Sequence, residues 1–298
     1  MGYNNIEWRD SLNIGVEVID KAHRELFSII RKLIDLSKDD VSSPKNRRAC
    51  EEGIKYFKNY VIEHFSQEEE YMRSINYKHF QAHKRRHDIM KHDTLPALEK
   101  KLIEDGFSRE STEHFYDVCI GWLTTHIAVE DSAINKSHDV NWKFDSDHAV
   151  RSMEKLFKDA VLEMFKSDVT LTDDNYSGAP LERPVCMEFI FKNTKGKRAK
   201  ILFEVEERLI TSAVAKLTGA RFVRINDISL TANSEIMLSV IQRVAPKARM
   251  LDGTYQLYSE CRISTADIQM ALHDEFFKYK LLFGSDDGNF AFCYSAEI

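Results

Sequence analysis

The 298-residue sequence predicts two domains of different class: an all-α antiparallel four-helix bundle over residues 1–135 and an α+β domain over residues 149–298. Three observations lead to this prediction. Apolar side chains recur at helical spacing in four stretches of the first part. Residues 136–148, KSHDVNWKFDSDH, are polar and indicate a linker. Beyond them, helical stretches alternate with extended runs around short turns.

The four helices of the bundle are separated by breaks in the sequence. They are expected at roughly 18–38, 45–74, 77–103 and 109–135. The first ends at DDVSSP, and the fourth follows Asp105-Gly106. The third contains Pro96 and is expected to kink there, because proline removes a backbone hydrogen bond. Short connections favour antiparallel neighbours.

The second domain mixes helices with hairpins. A helix over HAVRSMEKLFKDAVLEMF is followed by CMEFIFKNTKGKRAKILFEVE, which indicates a hairpin around Asn-Thr-Lys-Gly. Two helices are expected near 207–218 and 227–245. A strand is expected at 254–263, and a last hairpin around the Asp-Asp-Gly turn of KYKLLFGSDDGNFAFCYS.

Composition and charge exclude several classes of function. The net charge of -6 gives no electrostatic support for a nucleic-acid partner. The chain has no apolar run of about 18 residues for a membrane span, and the start MGYNNIEWRD is unlike a signal peptide. The five cysteines are scattered without a CxxC pair, which is typical of free thiols in a reducing compartment. A cytoplasmic location is therefore expected.

Histidines lie on the apolar face of every predicted helix of the bundle. They are His23 in the first, His64 in the second, His83 and His87 in the third, and His126 in the fourth. Glu68 lies one turn after His64. An unpaired buried polar group costs about 1–3 kcal/mol, and a whole domain has only about 5–15 kcal/mol of stability. The converging side chains therefore predict a metal centre.

The ligand types restrict the metal. Imidazole suits zinc, copper, iron or nickel, and the lack of thiolates disfavours a structural zinc site. Five histidines exceed what one ion normally takes from a protein, so two ions with bridging carboxylates fit better. Glu68 can bridge them. A second carboxylate is expected near His126, where spacing alone favours Glu130, at i+4, over Asp131, at i+5.

These segments resemble the bacterial hemerythrins over about residues 6–135. The matching motifs are WRDSLNIGVEVIDKAHREL, HFSQEEEYM, Tyr77-x5-His83-x3-His87 and WLTTHIAVED. The resemblance implies two non-haem iron ions with an oxo or hydroxo bridge, and O₂ as their ligand. It also implies that His83, His87 and His126 hold one iron. His23 and His64 would hold the other, which keeps an open position for O₂, and Glu68 and Asp131 would bridge.

The donor set also bears on the chemistry expected of the iron pair. Five neutral imidazoles and two carboxylates donate less charge than the carboxylate-rich sites of ferritin-like oxidases, which favours reversible O₂ binding. Trp122 and Ile127 are expected to contribute an apolar pocket for O₂. The remaining histidines are expected at the surface or locally bonded: His79, His92, His114, His138, His148 and His273. Glu69, Glu70 and Lys84–Arg86 are expected on a solvated face.

The second domain resembles, through fewer residues, the CheX-like chemotaxis phosphatases over about residues 147–298. ILFEVEERLITSAVAKLTGA and INDISLTANSEIMLSVIQ carry this resemblance. The catalytic signature of that family is Glu-x-x-Asn. Glu235 matches the glutamate, but Leu238 replaces the asparagine. Leucine has no donor or acceptor, which argues against phosphatase activity. Glu235 is either a partner-docking residue or an exposed helix glutamate.

Three hypotheses of function follow. The leading one is an O₂ sensor that signals through the CheX-like domain in chemotaxis or two-component signalling, with a CheY-like response regulator as candidate partner. The second is an O₂-regulated phosphatase of response regulators. The third is an O₂ or iron storage protein whose second domain forms a homodimer.

Overall fold

The structure is a computed structural model that describes residues 8–37, 44–135, 145–218 and 224–296. The chain divides into two units, Met1–His138 and Asp139–Ile298. Residues 136–144 of the predicted linker lie outside the described residues. None of the described helices is both long enough and apolar enough to cross a bilayer.

The first unit is helical, as predicted. A 3-10 turn at Asp10–Leu12 precedes α1 (Glu17–Ser37) and α2 (Pro44–Ser74). The third predicted helix is α3 (Phe80–Ile89), a π-helical turn (Met90–Thr94) and α4 (Leu95–Glu104). The fourth is α5 (Arg109–His126), a π-helical turn (Ile127–Asp131) and the short α6 (Ser132–Ile134).

Pro96 lies in the first turn of α4, directly after the first π-helical turn. The backbone is helical through this point, since Thr94 and Leu95 have right-handed helical φ and ψ and the Leu95 N–H donates to the Met90 carbonyl. Pro96 has no N–H to continue that pattern. The helical hydrogen bonding therefore changes beside Pro96, and the kink expected there stays a prediction.

The bundle has an apolar core that surrounds a polar centre. Leu26, Leu33, Phe57 and Phe115 are at most 2% exposed. Cys50 and Tyr116 form a buried contact, with 3.3 Å between Sγ and the hydroxyl oxygen. Burying an aliphatic or aromatic side chain of this size stabilises a fold by about 1.5–3 kcal/mol, so the core can support a cluster of buried polar groups.

The second unit is an α+β domain, as predicted. Its helices are α7 (Ala149–Phe165), α8 (Glu207–Thr218), α9 (Asp227–Lys247) and α10 (Thr265–Asp274). Its strands are β1 (Thr170–Asp173), β2 (Pro184–Lys192), β3 (Arg198–Glu206), β4 (Gln256–Ile263), β5 (Tyr279–Ser285) and β6 (Gly288–Ala296). The sheet is antiparallel, in the order β1-β5-β6-β3-β2-β4.

Both predicted hairpins are present, because their turn residues close them locally. In the β2–β3 turn, the Asn193 side-chain oxygen accepts from the backbone N–H groups of Lys195 and Lys197, each at 2.9 Å. Gly196 has φ +81°, a conformation that favours glycine. Strand β1 and helix α10 were not predicted: β1 has only four residues, and three of them are exposed.

Two apolar layers cover the sheet. On one face, the Phe157 ring of α7 lies 4.9 Å from Phe283 and 4.7 Å from Phe292. On the other face, Ile268 of α10 belongs to a buried cluster that includes Tyr176 and Leu202. The unit therefore has its own core, as an independently folding domain requires.

Candidate metal centre

The structure brings the seven predicted ligand side chains together inside the bundle, and none is more than 2% exposed. They are His23 on α1, His64 and Glu68 on α2, His83 and His87 on α3, His126 at the end of α5 and Asp131 at the end of the second π-helical turn. Every long element of the bundle except α4 contributes at least one of them.

The donor atoms form two groups, and within each group they lie within 4.8 Å of one another. One group is Glu68, His83, His87 and His126; the other is His23, His64, Glu68 and Asp131. Glu68 belongs to both. This is the arrangement expected of two ions that share a carboxylate.

The first group has the spacing of donors to one ion. His126 Nε2 lies 3.0 Å from His87 Nε2 and 3.1 Å from His83 Nε2. Two nitrogen atoms bound at right angles, each about 2.1 Å from one ion, are about 3.0 Å apart. The three imidazoles therefore present their Nε2 atoms in a geometry that suits a single metal ion.

Asp131 faces both groups. Its Oδ2 lies 3.2 Å from His23 Nε2, whereas its Oδ1 lies 3.1 Å from His126 Nε2. Glu68 does the same from α2: its Oε2 lies 3.4 Å from His87 Nε2 and 3.6 Å from His64 Nε2. Each carboxylate thus reaches histidines of both groups, as a bridging ligand would.

The buried carboxylates test whether a metal fits. Both oxygens of Glu68 and both oxygens of Asp131 are buried, and among the described residues none has a hydrogen bond of good geometry. A buried carboxylate whose oxygens lack well-formed hydrogen bonds is strongly destabilising. Cations at this position would satisfy all four oxygens, and the imidazoles complete a donor set that suits a transition metal. The residues fit.

The protonation states also favour metal binding. Burial lowers the pKa of His126 to about 3 and holds the pKa of His64 well below its usual range. Both imidazoles are therefore neutral at neutral pH, as a metal ligand must be.

The pKa values of the two carboxylates, Glu68 and Asp131, shift in opposite directions. Burial raises the pKa of Glu68 well above its usual range, and the charge of Asp131 adds to this. Burial acts in the same direction on Asp131, but His126, supported by His23 and His83, holds the pKa of Asp131 well below its usual range. A bound cation favours the ionised form of both carboxylates.

The second π-helical turn decides which acidic residue joins the cluster. Its i→i+5 hydrogen bonds place residue i+5, rather than i+4, above His126. Asp131 therefore points into the centre and is fully buried. Glu130 lies outside the two donor groups, with its Oε1 3.5 Å from Nη2 of Arg86. Spacing at 3.6 residues per turn favoured Glu130, and that interpretation is wrong because the helix is wider here.

Aromatic rings cover the three-histidine group. Phe65 stacks on His87, with ring centroids 4.0 Å apart, and Trp122 stacks on His126 at 4.2 Å. Trp122, expected in an O₂ pocket, thus lies beside the three-histidine group. Ile127, expected there too, is fully buried. The ring of Trp8 lies 6.1 Å from His23, on the two-histidine side. The pocket itself stays a prediction.

Two residues near the centre were missed by sequence reasoning. Glu69 and Arg86, both expected on a solvated face, are 7% and 2% exposed. Glu69 Oε1 lies 3.4 Å from His87 Nδ1, and its Oε2 accepts from Arg73 Nη2 at 3.1 Å. Burial alone would raise the pKa of Glu69, but His87 and the nearby cations lower it, so Glu69 is a carboxylate. Each residue neighbours a predicted ligand in sequence, which was the available signal.

The described histidines outside the centre lie where they were expected, whereas the position of His138 stays a prediction. His79 and His92 are exposed. His148 and His273 are also exposed, and their Nδ1 atoms contact Asp145 at 3.0 Å and Asp274 at 2.7 Å. His114 is half-buried, and His138 lies outside the described residues. Outside the centre, therefore, no described histidine is fully buried.

In the second unit, the residues around the predicted docking position lie on α9. Glu235 is half-buried, and Leu238 is 4% exposed. Asn233 is 1% exposed, and its Nδ2 faces Met237 Sδ at 3.6 Å. Leu238, at the asparagine position of the signature, and the nearby Asn233 are therefore both buried in the core. The docking role of Glu235 stays a prediction.

Comparisons with known proteins concern the two units separately. The family model "Hemerythrin HHE cation binding domain" matches residues 14–136. A bacteriohemerythrin of Clostridium acetobutylicum is 32% identical over 126 residues, which are 42% of this chain and 94% of that protein. One of Stenotrophomonas maltophilia is 28% identical over 126 residues, 42% of this chain and 76% of that protein. A myohemerythrin of Theromyzon tessulatum is 26% identical over 125 residues, which are 42% of this chain and 87% of that protein.

Among solved structures, the matches lie over the C-terminal half. The chemotaxis protein CheX of Vibrio vulnificus is 12% identical with a TM-score of 0.37, and the match covers 50% of this chain and 97% of that one. CheX of a Desulfovibrio desulfuricans subspecies is 11% identical with a TM-score of 0.36, and the match covers 50% and 99%.

Proposed function

This chain belongs to the bacteriohemerythrin family through its N-terminal unit, and from that membership we propose an O₂ sensor. In this proposal the bundle holds two non-haem iron ions and binds O₂ reversibly. The C-terminal unit then passes the oxygen state to a signalling partner. The observation that carries the proposal is the pair of buried donor groups that share Glu68.

The donor count supports the assignment of ligands. We assign His83, His87 and His126 to one iron and His23 and His64 to the other, with Glu68 and Asp131 bridging both. The second iron then has one protein ligand fewer. The ion held by His23 and His64 would therefore have room for one further ligand, and O₂ would bind there. When bound, a ferrous pair supplies that position and two electrons to O₂.

The protein's own residues favour reversible binding. Neutral imidazoles such as His64 and His126 supply lone pairs without adding charge. Phe65 and Trp122 cover His87 and His126 with apolar surface on the three-histidine side. On the side assigned to O₂, the Trp8 ring lies 6.1 Å from His23, so both sides would admit little water. Less water and less ligand charge both disfavour irreversible oxidation of the centre.

An anaerobic-to-aerobic optical titration tests the binding proposal. After loading with ferrous salt without oxygen, we expect about two iron ions per chain and an absorption change in air that reverses under argon. His126→Ala, which removes one assigned ligand, serves as the control and should bind less iron. Absence of iron, or rapid irreversible oxidation in air, would contradict the proposal.

The presence of a second unit supports sensing over storage. The match with the Clostridium acetobutylicum relative covers 94% of that protein but only 42% of this chain. The C-terminal unit is therefore additional to what that relative contains. A protein that only stores O₂ or iron does not need it.

Hydrogen bonds connect Asn135, at the end of the described bundle, to the segment that leads into α1, the helix that carries His23. Asn135 donates to the Ile14 carbonyl at 3.1 Å and accepts from the Tyr71 hydroxyl at 3.2 Å. The Ile14 N–H in turn donates to Asp20 Oδ1 at 2.7 Å, and Asp20 lies one turn before His23 on α1. A shift of His23 on O₂ binding would thus be transmitted to Asn135, the last described residue of the bundle.

We propose a cytoplasmic response regulator of the CheY type as partner, with Glu235 as candidate docking residue and a homodimer through the C-terminal unit as a further candidate. The phosphatase alternative is not favoured. Leu238 occupies the asparagine position of the signature, and Asn233 is buried. Neither side chain can orient a water on a partner's phosphate.

Hydrogen exchange tests the signalling part. We expect amide exchange within 145–296 to differ between deoxygenated and oxygenated protein, because a sensor must change its output unit. The matched control is His126→Ala, in which oxygen should cause no difference. Identical exchange of this unit in both states of the wild-type protein would contradict signalling while leaving O₂ binding intact.

A further inference from the structure

We propose that Glu69 is a positioning residue for the metal centre: it orients His87 through Nδ1 and strengthens electron donation by that imidazole. The inference rests on the proposed iron site and assigns a role to a residue outside the seven ligands.

His87 differs from the other four histidines of the centre. The Nδ1 atoms of His23, His64, His83 and His126 are buried and have no hydrogen-bond partner among the described residues. Nδ1 of His87 instead lies 3.4 Å from Glu69 Oε1, while its Nε2 lies 3.0 Å from His126 Nε2. Both nitrogens of His87 are therefore engaged, one towards the centre and one away from it.

Glu69 is itself held in place. Its other oxygen, Oε2, accepts from Arg73 Nη2 at 3.1 Å, one turn further along α2. Arg73 is more than half exposed, and its guanidinium lies 4.9 Å from the centre of the Phe80 ring. The Glu69 carboxylate is thus held between a cation at the surface and an imidazole in the core.

The His87 ring is fixed on its face as well as at its edge. Phe65 stacks on it with an angle of 6° between the ring planes. The stacking restrains the plane of the ring, and the contact with Glu69 selects the rotation within that plane. Together they aim Nε2 at the cluster.

A carboxylate that accepts from the outer N–H of a metal-bound imidazole has two effects. It fixes the tautomer that leaves the lone pair on Nε2, and it makes the imidazole a stronger donor. Among the described residues, only the three-histidine group has such support. The two proposed iron ions are therefore unequal in donor strength as well as in ligand number.

Glu69→Ala and Glu69→Gln in the full-length chain separate the two effects. Alanine removes the hydrogen-bond acceptor and the charge, so we expect iron affinity to fall about 10- to 100-fold in anaerobic competition with a ferrous chelator. Glutamine keeps an oxygen acceptor but loses the charge. We expect it to lose less affinity and to show a higher midpoint potential, because weaker donation favours the ferrous state.

The matched control is Glu113→Gln. Glu113 pairs with Arg109 four residues earlier at 2.9 Å, an exposed helical pair that is not part of the centre. It should retain wild-type affinity and potential. Circular dichroism of the iron-free variants checks that they fold.

The outcomes are distinct. If wild-type protein binds iron and O₂ but both Glu69 variants match it in affinity and potential, the positioning role is overturned and the proposed function stands. If Glu69→Gln matches the wild type in potential while Glu69→Ala loses affinity, orientation is supported and electron donation is overturned. Failure of the wild type to bind iron overturns the proposed function and this inference with it.

Discussion

Asp131→Asn is expected to destroy the metal centre, whereas Glu130→Gln is expected to preserve it. The two residues are adjacent and both acidic, so net charge changes equally in the two variants. Of these two residues, Asp131 alone contacts histidines of both donor groups, through Oδ2 to His23 and Oδ1 to His126. Loss of a residue that only hydrogen-bonds to a metal ligand typically lowers metal affinity about 10- to 100-fold. Loss of a bridging ligand should lower iron affinity by more than that.

Glu130→Gln is expected to affect stability instead. Its carboxylate lies 3.5 Å from the buried guanidinium of Arg86, and weakening that contact should cost about 1–3 kcal/mol. Iron affinity should stay within about a factor of ten of the wild-type value, since Glu130 belongs to neither donor group.

Both variants can be measured by iron content after anaerobic loading and by chelator competition, with unfolding followed separately. The key comparison is the ratio of the two affinities. Equal loss of iron in both variants, or a greater loss with Glu130→Gln, would mean that the π-helical turn does not set the bridging ligand.

Removing iron is expected to lower the melting temperature of the bundle by about 10 °C or more. A ligand at 100 times its dissociation constant stabilises the folded state by about 2.7 kcal/mol, and two sites would give about twice that. In domains of this size, each kcal/mol moves the melting temperature by several degrees. The physical source is the buried set of carboxylate oxygens that iron would satisfy.

Anaerobic calorimetry of iron-loaded and chelated protein measures this effect. The second unit contains none of the assigned ligands, so its transition should move much less with iron than that of the bundle. Trp122, stacked on His126, gives an optical probe for the bundle. His126→Ala should melt at nearly the same temperature with and without iron. An unchanged bundle transition in the wild type would argue that no metal binds in the core.

The sequence by itself determined several features that depend on neighbours along the chain, although helix α10 was not predicted. Apolar periodicity located α1, α2 and the two stretches that contain π-helical turns, 80–104 and 109–134. Burial of one helix face imposes a period near 3.6 residues. The same period placed His23, His64, His83, His87 and His126 on inward faces. Asn193 and Gly196 marked the β2–β3 hairpin, because their conformational preferences close a turn locally.

Tertiary structure alone decided what depends on distant residues. Helical spacing favoured Glu130, yet Asp131 reaches the centre because a π-helical turn widens the helix beside His126. Contacts of Asp131 with His23 and His83, on other helices, accompany that turn, and no local preference encodes them. The sequence pattern placed Glu69 and Arg86 at the surface, because a carboxylate or guanidinium is buried only where partners are present. The partners that accompany their burial, His87 for Glu69 and Glu130 for Arg86, lie on other helical elements.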